Sequence, residues 1–484
     1  MASIVKRGRS MAVVYYYNDE NGEKRQKWET IKDHGNNASN PAAESKPPKR
    51  TATKKALADE RKTEVEFNQV KGTFIIPRNT TVSQFLQDFV SLYGEKKWGV
   101  NTYRTNTGLI DNYINPFLGD ESLQTITTYS IDKYYKMLSN MKPIDTRFRK
   151  AITEYLTPSN IEKIHKLLRC AFGQAVRWEL LAKNPFDNVT LEKHISEERA
   201  TWTVDLIVKA MDACTDNLLY LCMNIAFACS PRAGEILGLQ WPRLHITDAD
   251  IANDNARIEF DRELTRVSLK AMKKLKDKGI LFKFPPVMDV PNRSTILVLK
   301  TPKTAKSVRT VWIPKTLAFI LREWKEAQDK QKEFLGNEYK DYDLVVAQPN
   351  GRPWEIKLLE NAFNKLKKDA ALPNVVFHSL RSSSTTYKLK LSKGDIKAVQ
   401  GDTGHAQAAM ITEVYSRILD EDRKVNAQRF EAMFYANPDL RKITPPPEQL
   451  AGIDIGSLIA QLQQSPELAK LLAQAIATGS NEGY

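Results

Sequence analysis

Ser230-Pro231-Arg232-Ala233-Gly234-Glu235 sets an arginine at the start of a helix. Ser230 suits an N-cap and Pro231 the first helical position, so Arg232 is expected in the first turn. The helix dipole disfavours a cation there, whereas an arginine beside unpaired N–H groups suits an oxyanion, phosphate above all. Taken alone, Arg232 is as readily a structural ion pair with Glu235. Downstream, His378-Ser379-Leu380-Arg381 repeats the arrangement, with Arg381 near the start of a helix expected over Ser379 to Leu391. Two such arginines can each donate a bidentate pair to non-bridging phosphate oxygens and stabilise charge that grows in a pentacoordinate transition state.

Three further elements complete the series. Lys303 lies in Thr301-Pro302-Lys303-Thr304, between expected strands Ser294 to Lys300 and Val308 to Pro314. A lysine on such a hairpin can reach a leaving oxygen and protonate it; Lys300 and Lys306 are alternatives. Gly404-His405 follows, then Tyr415 in Val414-Tyr415-Ser416-Arg417. Each is weak alone. A turn lysine is usually just exposed, a lone histidine usually structural, and Tyr415 is one of 17 tyrosines. A phenol, with a pKa near ~10, also needs nearby cations to become a nucleophile.

The order Arg, Lys, His-x-x-Arg, Gly-His, Tyr resembles the tyrosine recombinase (phage-type integrase) family, most closely integrases of conjugative transposons and other integrative mobile elements. The interval from His405 to Tyr415 is similar to the family's. The resemblance implies the catalytic set Arg232, Lys303, His378, Arg381, His405 and Tyr415. Tyr415 would be the nucleophile, Lys303 the acid for the leaving 5′-oxygen, and His405 a donor to the scissile phosphate. His378 would assist proton transfer at the tyrosine or hold the site in register. It further implies a 3′-phosphotyrosyl intermediate, a Holliday junction, a homotetramer on double-stranded DNA, and no metal or cofactor. An excision factor or a host DNA-bending protein is a further implied partner. The likeness covers about 1–435 and has departures. Ser382 stands where many members have histidine, Gly401-Asp402-Thr403 replaces a more apolar step, and Arg257 to Val290 is long.

With 484 residues the chain exceeds one core and predicts several domains. The expected fold class is multidomain and mainly α with β elements. Residues 1–71 read as a three-stranded sheet plus helix. Ala12 to Tyr17, a β-branched and aromatic run, and Lys24 to Ile31 read as strands around a turn at Asn18 to Gly22, and Thr53 to Glu66 is helical. With Lys6, Arg7, Arg9, Lys24, Arg25 and Lys27 on or beside the strands, this module is expected to bind arm-type DNA sites, as in integrases. The alternative is a merely solvated basic hairpin.

Residues 78–195 read as a small helical domain like the family's core-binding (SAM-like) domain. One helix starts at Thr80 or Thr81 and a long one runs from about Ser159 to Ala182, ended by Asn184-Pro185. Its candidate phosphate contacts are Lys96, Lys97, Arg104, Lys163, Lys166 and Arg177. Residues 200–435 are expected to be the mixed α/β catalytic domain. Leu218 to Ala228 is a buried helix there, and the basic stretch Arg257 to Val290 is either a DNA-touching insertion or solvated surface. The segment Arg423 to Tyr435 is expected on a neighbouring protomer. The tail 436–484, set off by Pro445-Pro446-Pro447, is leucine- and alanine-rich and reads as a protein contact or a flexible appendage.

A formal net charge of +14 favours a polyanionic partner. No apolar run approaches the ~18 residues of a membrane span, and no secretory signal is evident, so a cytoplasmic, nucleoid-associated bacterial protein is expected. Cys170, Cys214, Cys222 and Cys229 form no metal-type pair and read as buried free thiols; the histidines form no zinc-type cluster. Two rival readings stay open. A type IB topoisomerase uses similar chemistry but rejoins the same strand, and the separate N-terminal module argues against it. A non-catalytic DNA-binding regulator would need neither Tyr415 nor Lys303.

Overall fold

The computed structural model describes residues 2–8, 10–19, 22–31, 54–72, 74–145, 151–192, 200–287, 292–303, 307–392 and 394–404. His405, Tyr415, Arg9, Lys306, the segment 423–435 and the tail 436–484 lie outside the described residues. The fold is mainly helical with small sheets, and no described helix is long and apolar enough to cross a membrane.

The N-terminal strands β1 (Ala2–Arg7), β2 (Ser10–Asn18) and β3 (Lys24–Ile31) form an antiparallel sheet in that order, followed by helix α1 (Lys54–Lys71). Period-2 alternation assigns the two faces. Val13 and Tyr15 turn toward α1 and form a small core with Ala2, Ala58 and Val65. Arg61 of α1 pairs with Glu29 of β3 at 2.9 Å, and the Ala2 N–H donates to Glu66 at 2.8 Å. The opposite, open face is covered by none of the other described elements.

The helical segment comprises α2 (Val82–Asp88), α3 (Glu95–Lys97), α4 (Val100–Leu109), α5 (Asn115–Leu118), α6 (Thr128–Ser139) and α7 (Pro158–Arg177), with π-helical turns at Phe89–Gly94 and Ile110–Ile114. Thr81 caps α2 in a reciprocal capping box with Gln84. In α7, Pro158 follows the N-cap, and Ile161, Ile164, Leu167, Leu168, Ala171, Phe172 and Ala175 bury one stripe. α7 ends at Arg177, several residues before the expected Asn184-Pro185 stop. Glu179 takes a left-handed turn (φ 59°) and the Leu180 N–H returns to the Ala175 carbonyl at 2.9 Å, closing the helix before the proline is reached.

The third segment contains α8 (Val204–Asp212), α9 (Asn217–Cys229), α10 (Ala233–Leu237), β4 (Leu244–His245), α11 (Asp248–Ala252), β5 (Arg257–Phe260), β6 (Glu263–Ser268), α12 (Leu269–Lys274), β7 (Ile280–Lys283), β8 (Thr295–Lys300), β9 (Arg309–Trp312), α13 (Lys315–Leu335), α14 (Ile356–Asp369), α15 (Ser379–Leu391) and α16 (Ile396–Thr403). Its strands form two three-stranded antiparallel sheets, β4-β5-β9 and β6-β8-β7. The expected strands around Lys303 are both present but do not pair. β8 lies between β6 and β7, while β9 pairs with β5, so the chain changes sheets from β8 to β9 and the two strands form no hairpin.

The sheet β6-β8-β7 is apolar on both faces. Leu264, Leu297 and Leu299 join the core of the third segment, whereas Val267 and Val298 join the core of the helical segment with Ala271, Met272 and Leu275. The long basic stretch is therefore largely a structural join. Lys274 pairs with Glu95 at 3.4 Å and Lys278 donates to the Lys96 carbonyl at 2.6 Å. Arg266 makes a two-pronged pair with Glu355, and Arg262 binds Asp261 and Gln240. Lys270, Lys273 and Lys276 remain exposed.

Of the cysteines, Cys222 and Cys229 are buried, with burial pushing both thiols up, Cys229 to about 12. Cys170 departs from the expectation: it is exposed on α7, opposite the buried stripe.

Candidate active site

α9 ends at Cys229, and Ser230 turns the chain out of it in the left-handed region (φ 53°, ψ 35°). A side chain there costs about 1–2 kcal/mol, so surrounding contacts must hold it. They do. The Ser230 hydroxyl meets that of Ser384 at 2.6 Å, Ser384 also donates to the Phe227 carbonyl, and the Ser230 N–H donates to Ala226 O at 3.1 Å. Ser230 thus ends α9 rather than starting α10. The N-cap of α10 is Arg232 itself, two residues later than the Ser230 of the sequence reading. The reason lies in Glu235. Its carboxylate reaches back to the Arg232 N–H at 2.9 Å, so the helix start needs no serine oxygen. A Cβ on Gly238 would sit 2.7 Å from the Leu264 nitrogen, so only glycine lets α10 lie directly on β6.

Glu235 is the hub of the cluster and is 1% exposed. It accepts from Arg232 Nη1 at 2.8 Å and from Arg309 Nη2 at 2.9 Å. Burial alone would raise its carboxyl pKa. The charge and hydrogen bond of Arg309, with the N–H and charge of Arg232, outweigh burial and hold it below the ordinary carboxylate value. Arg232 itself is 38% exposed, open on the side away from Glu235.

Arg381 sits in the first turn of α15, as the sequence predicts, and is 3% exposed. Its Nη1 donates to the Ser230 carbonyl at 2.6 Å and its Nη2 to the Thr403 carbonyl at 2.7 Å. Burial pushes the guanidinium down to about 9, with the charges of Arg232 and Arg309 adding and Glu235 opposing; it stays cationic at neutral pH.

The last turn of α16 closes against these residues. Arg309 Nε donates to the Asp402 carbonyl at 2.7 Å, and Lys388 pairs with the Asp402 carboxylate at 2.6 Å. Gly404 then turns left-handed (φ 64°) at the helix end, immediately before His405 in the sequence. The structure therefore brings Arg232, Arg381 and the approach to His405 together. Lys303 is exposed in the crossover between β8 and β9, whereas Lys300 is ion-paired with Glu263. His378 is exposed at the start of α15. His405 and Tyr415 are outside the described residues.

Sequence reasoning passed over Arg309. The signal was present in strand parity: Arg309 alternates with Val311 and Ile313, both buried, so its side chain had to point inward.

The DNA-contact candidates divide by environment. On the N-terminal sheet, Arg7 lies over the Trp28 ring at 4.5 Å and Lys24 over the Tyr16 ring at 4.9 Å, both on the open face. Gln26 joins Tyr16 there at 3.1 Å. Strand parity puts Lys6, Arg25 and Lys27 on the other face, and Arg25 is engaged with Asp19 and Glu23. In the helical segment Lys96, Lys97, Arg104, Lys163, Lys166 and Arg177 are exposed. Lys166 pairs with Glu162 at 2.7 Å, and Lys163 and Arg177 each donate to a neighbouring side chain.

Residues 81–139 match the family described as phage integrase, N-terminal SAM-like domain. A tyrosine recombinase XerC-like protein of Caldanaerobacter subterraneus subsp. tengcongensis is 26% identical over 67% of this chain and 76% of its own. The ICEBs1 integrase of Bacillus subtilis is 24% identical over 68% of this chain and 77% of its own. Among solved structures, the Tn1549 transposon integrase in complex with transposon right end DNA superposes with a TM-score of 0.54 at 16% identity, covering 72% of this chain and 99% of that one. The arginine cluster thus sits in a chain that is similar to tyrosine recombinases and integrases and whose residues 81–139 match the SAM-like domain of phage integrases.

Proposed function

We propose that this chain is a site-specific DNA recombinase that integrates or excises a mobile element. The carrying observation is the arginine cluster at the centre of the third segment. Arg232, Arg309 and Arg381 gather around one carboxylate, Glu235, and Arg381 is almost fully buried. Arg309 and Arg381 are almost sealed from solvent and Arg232 is not, so an anion arriving at the cluster would be met by Arg232. A phosphodiester supplies one, and Arg232 keeps an open side to meet it.

In this reading Tyr415 Oη attacks the scissile phosphorus and the P–O5′ bond breaks. The product is a 3′-phosphotyrosyl linkage and a free 5′-hydroxyl. Arg232, Arg381 and His405 stabilise the pentacoordinate charge. Lys303 delivers the proton to the departing O5′, and His378 assists removal of the phenolic proton. The 5′-hydroxyl of a partner duplex then displaces the tyrosine, so the bond is conserved without nucleotide or metal. Two rounds pass through a Holliday junction in a homotetramer at the nucleoid, with an excision factor or a host DNA-bending protein setting direction. The helical and third segments clamp the core site, and the open face of the N-terminal sheet reads arm-type sites. The mobile-element setting is suggested by the ICEBs1 and Tn1549 integrases among its relatives.

The test is covalent trapping on a nicked suicide duplex carrying the element's end sequence, resolved on a denaturing gel. Wild type is expected to form an adduct that Tyr415→Phe does not. Tight binding without any wild-type adduct would overturn the assignment.

A further inference from the structure

We propose that Arg309 is a positioning residue for strand cleavage, holding Arg232 and the α16 terminus in one geometry; this rests on the recombinase reading above. Its guanidinium bridges three parts of the segment. Nη2 donates to Glu235 Oε2 at 2.9 Å, Nε to the Asp402 carbonyl at 2.7 Å, and Nη1 to the Ser307 carbonyl at 3.0 Å. The plane lies 4.9 Å from the Phe260 ring centre, and the side chain is 5% exposed.

Each contact leads to a different part of the site. Through Glu235, which binds both the backbone N–H and Nη1 of Arg232, Arg309 fixes where Arg232 points. Through Asp402 it fixes the turn that runs into Gly404 and His405. Through Ser307 it anchors the far end of the crossover that carries Lys303. A Cβ on Gly404 would approach the Arg309 Cδ at 3.0 Å, so the helix end is moulded to this side chain. Arg309 donates to protein groups on three sides and is sealed from solvent. It therefore acts through Arg232 rather than on the phosphate.

A lysine at this position keeps the charge but cannot serve three acceptors from a planar fork. Misplacement of a catalytic group by about 1 Å costs on the order of 10²-fold in rate. Arg309→Lys in the full chain is therefore expected to form the suicide-duplex adduct about 10²-fold more slowly in single turnover, with duplex affinity and melting temperature near wild type. The decisive measurement is a cycle with Glu235→Gln. If Arg309 works through Glu235, the double variant is slowed no more than about threefold beyond the slower single variant. Rate losses that multiply overturn the proposal. So does a wild-type rate for Arg309→Lys, or a slowing matched by lost affinity or by melting below the assay temperature, which would make Arg309 merely structural. Absence of any wild-type adduct instead removes the recombinase reading itself.

Discussion

The Arg381 Nη1 donates to the Ser230 carbonyl at 2.6 Å across 151 residues of sequence, and that bond joins the two arginine motifs of the site. It requires Ser230 to be left-handed, because that conformation aims the carbonyl at α15. The strain at Ser230 and the placement of Arg381 are thus one feature.

The Ser230–Ser384 hydrogen bond should therefore carry measurable stability. Ser384→Ala leaves the buried Ser230 hydroxyl without this partner and is expected to cost about 1–2 kcal/mol. At position 230, Gly relieves the backbone strain while losing the hydroxyl, whereas Ala keeps the strain and loses it too. Denaturant unfolding should rank Ser230→Gly above Ser230→Ala by about 1 kcal/mol. The reverse order would show that the left-handed turn is not strained.

Glu235 gives a pH signature. Its folded carboxyl pKa is depressed, so its stabilising contribution is fully present above the unfolded value near ~4.3 and fades as pH falls through the folded value. Wild type should exceed Glu235→Gln in stability at pH 7, and the gap should narrow only in acid, below about pH 4.3. A gap that stays constant from pH 7 down to acid unfolding would mean that Arg232 and Arg309 do not hold the carboxylate.

The arginine motifs were legible because their signals are local: helix starts, spacing and residue type. What failed was non-local. Serine is equally at home as an N-cap or, at some cost, a left-handed exit, and the choice was made by Ser384, 154 residues away. Residue type marked the strands around Lys303 but not their partners, so a hairpin was expected where the chain changes sheets. One overlooked signal was in plain view. Ile296-Leu297-Val298-Leu299 in β8 is apolar without alternation, the mark of a strand buried on both faces, and β8 does lie between two cores.

That double burial predicts a long-range effect. Met272 belongs to the third segment in sequence but to the core of the helical segment in space. Met272→Asp buries an unpaired carboxylate there and should destabilise by more than about 3 kcal/mol. Lys273→Asp, one residue away and exposed, should change stability by less than about 0.5 kcal/mol. Equal effects would mean that the insertion does not pack as described.

Lys303 has a chemical test. As the acid for the leaving 5′-oxygen, it should be worth about 10²–10⁴-fold in cleavage, so Lys303→Ala should slow adduct formation by that factor. A duplex with sulfur in the bridging 5′ position leaves as a thiolate and needs no proton. The defect should vanish on that substrate. Lys300→Ala, which removes an ion pair with Glu263, should show no such rescue. Rescue of Lys300→Ala and not of Lys303→Ala would reassign the acid.

The N-terminal sheet separates its cations by face, and affinity should follow that separation. Arg7 and Lys24 lie against Trp28 and Tyr16 on the open face, while Arg25 is occupied by Asp19 and Glu23. Measured on an arm-site duplex over a salt series, Arg7→Ala and Lys24→Ala should each weaken binding and lower the slope of log K against log salt by about 0.9, the signature of one lost phosphate contact. Arg25→Ala should leave the slope unchanged, because its charge is already spent within the protein. Trp28→Ala removes the ring under Arg7 without removing a charge. It should weaken binding while keeping the slope near wild type, since the phosphate contact persists but is less well oriented. A slope that drops for Arg25→Ala and not for Arg7→Ala would place the DNA on the other side of the sheet, where α1 already packs.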